Sequence, residues 1–593
     1  CKRIGDDSLM DQIENLIDRY KGWTLFKRIL LFVKPYSTLI FFAVFLLLVV
    51  SILNLAGPYL TKTVIDDYIS VGNMNGMDTI AIIYLTVLVC SFLFQFSQTY
   101  LMQYIGQQVM FDLRLKVFAH LHKMSFSYFD KNPIGKMLTR VVNDVEVLNE
   151  MLTSGLILVF SDLFTLFGIF FVMLYLDWKL TLIVCVVFPF LSLATKAYRS
   201  RAWDALRKNR AHVSELNSYL KENISGIDTV QCFNQENANY KKFSSINNER
   251  LKEDLRTVRY NAYYMPSIDF FSSLGIGLVI WYGGGRFVQD DIQLGILVAF
   301  IQYLQKFFEP IRDLAEKFNV IQTAMASSER IFELLDTPEQ IPATIQSIKE
   351  YKLKGNVEFK NVCFSYDGKQ NVLKNISFSL NEGESLGIVG ATGSGKSTLI
   401  NALCRFYEIS NGDILFDGKS IRSINKFDLR RQIALVQQDV ILFSGSILDN
   451  IRLGNKDKEK EVVESISKVV RAHKFIDNLP DKYAQELKEG GEGISSGQRQ
   501  LLSFARALAV EPRILVLDEA TSNVDLDTEN QIQNGIKEMT KGRTSIIIAH
   551  RISTLMHVDK VLVLRKGEIV EFGDRKVLLR KKGIFYKLCQ SQI

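Results

Sequence analysis

The feature that most constrains this chain is a set of long stretches without charge, all before about residue 320 of its 593 residues. No charged residue occurs between Lys34 and Lys62, where the centre reads LIFFAVFLLLVVSIL. Asp78 and Asp112 bracket a second such stretch, around IAIIYLTVLVCSFLF. Asp162 is the only charge between Glu150 and Asp177, and Asp269 the only one between Arg259 and Arg286. Two shorter gaps run from Lys179 to Lys196 and from Asp291 to Lys306. At 1.5 Å per residue, ~20 apolar residues cross a hydrocarbon core about 30 Å thick. Six spans are expected, at about 37–57, 79–105, 152–176, 179–198, 262–285 and 292–315, within a membrane domain over 1–330. A lipid bilayer is thus an expected partner. The net charge of +7 is modest for this length and argues against a dedicated nucleic-acid binder.

Orientation follows from the basic residues, which are enriched on the cytoplasmic side of a membrane. Lys21, Lys27, Arg28 and Lys34 precede the first span, Arg114 to Arg140 supply six more after the second, and Arg199 to Arg210 supply five after the fourth. The loop after the first span holds Asp66, Asp67 and Asp78 with a single lysine. Both termini are expected in the cytoplasm, with the protein multi-pass in the cell membrane. The two cytoplasmic loops, roughly fifty to seventy residues each, far exceed the ~12–15 residues of an unstructured connection, so the spans are expected to continue as helices into the cytoplasm. The first apolar run follows more than thirty polar and amphipathic residues, which is not the pattern of a cleavable signal peptide. The seven cysteines show no metal-type spacing and read as unpaired thiols.

A polar linker over 331–354 leads to a domain at 355–593 in which strands alternate with helices, the pattern of an α/β fold. Its decisive segment is SLGIVGATGSGKSTLI: an apolar strand, a glycine-rich loop and a helix opening at Lys396. Gly390, Gly395, Lys396 and Ser397 satisfy G-x-x-x-x-G-K-[ST], with Thr392, Gly393, Ser394 and Thr398 completing the candidate phosphate-binding set. Glycines let backbone N–H groups close around phosphate oxygens, and the helix N-terminus favours their charge. Lys396 is placed to reach the β/γ-phosphates and Ser397 to bind Mg²⁺. Further on, ILVLDEATS puts four apolar residues before Asp518 and Glu519. Carboxylates at the C-terminal edge of a buried strand lie where α/β folds bind ligands. Asp518 suits contact with Mg²⁺ through water, and Glu519 suits orienting or deprotonating an attacking water.

With ISSGQRQ at Ile494–Gln500, these residues closely resemble the ATP-binding cassette (ABC) transporter family, over nearly the whole chain. The resemblance is to exporter half-transporters: an exporter-type (type IV) α-helical membrane domain fused to an α/β P-loop ATPase domain, using ATP and Mg²⁺. It implies roles for further residues. Tyr366 in FSYDG matches the aromatic that stacks on adenine, and Gln438 in VQQD the lid-loop glutamine linking Mg²⁺ to the membrane domain. Asp525 in SNVD matches the loop crossing the dimer interface, and His550 in IIAHR the switch histidine on the γ-phosphate. Ser495, Ser496, Gly497 and Gln498 form the signature that closes over ATP held by a second cassette. Coupling is implied near Ser127–Met137 and Asp228–Ala238.

One departure stands out, because the family signature is usually LSGGQ and Ser496 occupies a glycine position. Its side chain restricts close backbone approach to a γ-phosphate. Glu519 is meanwhile intact, an asymmetry that resembles heterodimeric multidrug exporters and implies a non-identical second half-transporter as partner. The expected function is ATP-driven export of small hydrophobic or amphipathic compounds, drugs or lipids; a homodimeric lipid flippase or a peptide exporter would carry the same motifs. A soluble DNA-repair ATPase with this cassette would leave six spans unexplained. Asp162 and Asp269 are candidate substrate-pathway residues, since a carboxylate within a span usually faces the bundle interior or a water-filled cavity.

Overall fold

The computed structural model describes residues 24–72, 76–338, 351–518, 526–549 and 552–590. Among the described residues six helices are long and apolar enough to cross a membrane: Thr24–Ile69, Met77–Leu121, Ile134–Leu176, Trp178–Ser225, Glu236–Val288 and Leu294–Arg312, the last continuing to Asp336. Runs of 43 to 53 residues are about twice what a bilayer needs, and the surplus forms the helical extensions. The chain divides into two compact units, one of residues up to His122 plus Ile134–Thr337, the other of Lys123–Pro133 plus Pro338 onward.

In the membrane unit, large apolar side chains such as Phe41, Phe92 and Phe171 lie on the outside, 77%, 68% and 65% accessible, as a lipid solvent permits. The packed interior gathers Ile169, Leu180, Val184, Ile268, Phe300, Tyr303 and Leu304. Pro58 lies inside the first span and has no N–H for the carbonyl of Asn54. The sixth span makes good that loss: Lys306 Nζ donates to Asn54 O at 2.8 Å, and Tyr303 OH donates to the neighbouring Leu55 O at 2.6 Å.

The charges after the first span, expected in a loop, are instead helical. Lys62 closes the α-helix and Asp66 sits in a π-turn over Val64–Ile69, buried at 5% accessibility. Asp66 stays inside because its Oδ1 accepts the N–H of Gly295 at 2.6 Å, capping the sixth span, while Lys62 lies 3.5 Å from Oδ2. In the cytoplasmic extensions, buried Asp144 accepts from Ser327 Oγ and Arg330 Nε, each at 3.0 Å, joining the third and sixth helices.

The second unit is built on a six-stranded sheet. Its strands are β3 (Ser385–Val389), β6 (Ile433–Val436), β9 (Ile514–Asp518), β10 (Thr544–Ile548), β11 (Lys560–Arg565) and β12 (Glu568–Asp574), ordered β12-β11-β3-β10-β9-β6. All neighbours are parallel except β11 and β12. β3 and β10 are buried at every position, which is why they read as unbroken apolar runs rather than alternating ones. A smaller antiparallel sheet adds β1 (Val357–Phe364), β2 (Leu373–Leu380), β4 (Asn411–Phe416) and β5 (Lys419–Ser420), and β7 (Gly445–Ser446) pairs with β8 (Glu486–Leu487).

Candidate nucleotide site

Parallel pairing brings the chemistry-bearing segments to one edge. Ile548 of β10 pairs with Asp518 of β9 and with Ile388 of β3, and Val436 of β6 pairs with Leu517. The loop from Gly390, Asp518 and Gln438 therefore all lie at the C-terminal ends of strands of one parallel sheet, the edge at which open α/β sheets bind ligands. Glu519, Asp525 and His550 lie outside the described residues.

The loop between β3 and the helix Lys396–Leu403 needs its glycines. A Cβ on Gly390 would fall 2.3 Å from Leu564 O and 2.6 Å from Ser394 Oγ, and Gly395 holds φ at +104°. Inside this loop Ser394 is 4% accessible and its Oγ has no hydrogen-bond partner among the described residues. Lys396 is buried at 7%, its Nζ donating to the carbonyls of Gly390 at 2.8 Å and Ala391 at 3.1 Å. An unsatisfied buried hydroxyl, an ammonium drawn against the loop and the first-turn amides of a helix make a cradle suited to a polyanionic phosphate. Thr392, Gly393 and Ser397 are exposed at its mouth.

Tyr366 stands beside this cradle, its OH 3.2 Å from Thr398 Oγ1, with 42% of its surface open. The turn after it is fixed by Asp367, which accepts the N–H groups of Lys369 and Gln370; those bonds hold its carboxyl below the usual range. Tyr407 packs edge-on against Tyr366, ring centres 5.1 Å apart, and its OH donates to Asp130. Phe406 stacks on Phe126 at 4.7 Å. Asp130 and Phe126 belong to the first cytoplasmic loop, where the helix Phe126–Lys131 packs within this unit. The adenine-stacking candidate and the implied coupling segment are thus one aromatic ring apart. Sequence reading missed Tyr407; its only signal was an aromatic pair just beyond the phosphate-loop helix. Burial in the core pushes the thiol of Cys404, three residues before Tyr407, up to about 12 and keeps it protonated.

The signature opens the helix Ser496–Ala509. Ser495 is its N-cap in a capping box with Gln498, and Ser495 and Ser496 are exposed while Gly497 is buried. Farther along, Arg506 donates to Ile441 O and Asn450 O, both at 2.9 Å, tying the signature helix to the chain just after exposed Gln438. Burial lowers the pKa of this guanidinium.

Residues 40–311 match the family description "ABC transporter transmembrane region", and residues 373–522 match "ABC transporter". An ABC transporter ATP-binding protein of Bacillus subtilis, YknV, named as uncharacterized, is 37% identical over 98% of this chain and 96% of its own. The chain belongs to the ABC transporter family. Other relatives of this transporter include the ATP-dependent lipid A-core flippase of Syntrophus aciditrophicus, 34% identical over 96% of this chain and 94% of its own. A Staphylococcus aureus protein provisionally named a multidrug export ATP-binding/permease protein is 35% identical over 96% of this chain and 100% of its own. The transporter is an exporter-type half-transporter, multi-pass in the cell membrane, with a cytoplasmic domain that hydrolyses ATP to drive transport.

The two pathway candidates have partners on the sixth helix. Asp162 accepts from Lys317 Nζ at 2.5 Å, with side chains 16% and 14% accessible. Asp269 pairs with Arg312, and both are more open, at 63% and 47%.

Proposed function

We propose that this chain is one half of a heterodimeric exporter that moves amphipathic compounds, drugs or lipids, by alternating access. Ser496 is the observation that carries the heterodimer. It lies in regular helix and is exposed, so the backbone imposes no demand of its own, while its side chain adds bulk where the family's glycine admits a γ-phosphate. A chain with Glu519 and an altered signature fits a partner of the reverse kind. The expected result is low ATPase and transport for this chain purified alone and a rise of tenfold or so with the partner co-expressed, the ratio that ~1.4 kcal/mol represents. Robust transport by the chain alone would sink the heterodimer and favour a homodimeric flippase.

In this reading ATP binding draws two cassettes together because ATP binds the closed pair more tightly than the open one, and hydrolysis resets them. Ser397, Gln438 and Asp518 offer only oxygen ligands, which suit the hard cation Mg²⁺. The ion is assigned to arrive with the nucleotide, whose phosphate oxygens are hard donors of the same kind. It would supply neutralisation of phosphate charge. Glu519 would orient or deprotonate water, and His550 and the partner-facing Asp525 keep the roles their motifs imply. A hollow of about 560 Å³ lined by Phe427, Ile441, Phe443 and Leu453 lies beside the chain that carries Gln438.

Asp162 and Asp269 are proposed to border the pathway as ion pairs rather than as free carboxylates, so a cationic substrate has to displace Lys317 or Arg312. Asp162→Asn strands the less accessible lysine and is expected to cost about 1.5–3 kcal/mol of stability. Asp269→Asn, in an open pair, is expected to cost at most ~1 kcal/mol. Thermal unfolding checks both, and cationic-dye uptake unchanged in both variants would remove them from the pathway.

A further inference from the structure

Toward the C-terminal end of the nucleotide-binding unit, residues on and beside three short helices, Ile552–Leu555, Arg575–Lys581 and Ile584–Gln590, line a slot of about 310 Å³. Leu555 and Phe585 are its buried lining, Leu579 and Tyr586 are half-buried, and Met556 is exposed. The volume is at the lower end of the roughly 300–1,000 Å³ usual for small-molecule sites. None of the lining residues belongs to the phosphate cradle.

The slot holds one charged group, Arg575. Among the described residues its guanidinium makes a single hydrogen bond, from Nη1 to the thioether of Met556 at 3.8 Å, and its Nε is buried without a partner. A guanidinium has only donors to offer, and a buried donor without an acceptor is costly, so such a group in a folded chain calls for an explanation. The nearby carboxylates do not provide the acceptor. Glu571 accepts the N–H groups of Ile584 at 2.6 Å and Phe585 at 2.9 Å, and Asp574 those of Lys576 at 2.8 Å and Val577 at 3.3 Å. No Asp or Glu lines the slot, and Gln590 Nε2 donates to Tyr586 OH at 2.8 Å.

The lining sets the chemistry of an occupant. The planar fork of a guanidinium matches a carboxylate, which accepts two parallel N–H bonds. Around it, a thioether and two aromatic side chains favour a ring over an aliphatic chain, since sulfur and ring edges both interact well with π-systems. Cys589 lines the same slot. Burial raises its thiol above the usual range while Arg575 acts the other way, so guanidinium and thiol are within electrostatic reach of each other. A molecule held on Arg575 therefore shields that sulfur.

We propose that this slot binds a compact aromatic carboxylate, its carboxylate paired with Arg575 and its ring against Leu579, Phe585 and Tyr586. The site is separate from the nucleotide cradle and from the membrane unit, and does not depend on the export reading.

The test uses the full chain in nanodiscs, alkylated with N-ethylmaleimide in the presence of naphthoate or of naphthamide, a neutral molecule of the same shape. Mass spectrometry reads the alkylation of Cys589, with exposed Cys232 as the internal reference. Naphthoate is expected to protect Cys589 but not Cys232, at a concentration about tenfold or more below that required of the amide, the lower end of what a hydrogen bond to a charged group represents. Arg575→Gln is expected to bring the acid to the level of the amide, and Arg575→Lys, which keeps the charge without the fork, to retain part of the preference. Equal protection by acid and amide in the wild type, protection by neither, equal slowing at Cys232, or an undiminished acid preference in Arg575→Gln overturns the site. The first three of these outcomes are read on the wild type alone, so the site stands or falls even where a variant does not fold.

Discussion

Lys396→Ala is expected to weaken ATP binding roughly 10- to 150-fold, the equivalent of losing a charged hydrogen bond worth about 1.5–3 kcal/mol. The lysine is buried at 7% and its ammonium lies against the carbonyls of Gly390 and Ala391, at the heart of the loop whose Ser394 hydroxyl has no partner among the described residues. Removing it leaves the cradle its amides but takes away the one full positive charge the motif provides. Arginine should not restore the affinity, because its planar fork has a different shape from a compact ammonium in a loop this closely built. Titration with a fluorescent ATP analogue checks both variants, and affinity within twofold of wild type would remove Lys396 from the phosphate site.

Glu519→Gln is expected to keep ATP binding near the wild-type value while hydrolysis falls by about 10²–10⁴, the range contributed by a positioned general base. Glutamine preserves size and hydrogen bonding but cannot take a proton. The preceding strand is buried from Ile514 to Leu517 and ends on Asp518, so a neutral replacement just past it leaves the sheet's packing untouched. Separate measurements of nucleotide affinity and phosphate release distinguish a lost base from a lost site. Unchanged release takes the role from Glu519, and parallel loss of both indicates a damaged fold.

The spans and the phosphate loop were legible because each signal is local: hydropathy over some twenty residues in one case, a contiguous strand, loop and helix in the other. Charges were harder to place. Asp66 looked like a loop residue because a carboxylate by itself marks a span's end, yet its partner is the N–H of Gly295, 229 residues away. The partners of Asp162 and Asp269 had no local signal, because Lys317 and Arg312 lie on another helix and helix register is not a property of either segment alone. Tyr407 had no signal of its own, since its position against Tyr366 and Asp130 comes from packing.

Taken alone, then, the sequence determined that the chain crosses a membrane six times and joins that domain to a nucleotide-binding one, because bilayer thickness and phosphate geometry act on consecutive residues. Only the tertiary structure decided which buried charges are neutralised, how the sixth span completes the backbone at Pro58, and where one arginine is left facing an apolar slot. Those outcomes depend on the side chains that distant helices bring within a few ångströms, where the cost of desolvating a charge or a carbonyl is either met by a partner or left open.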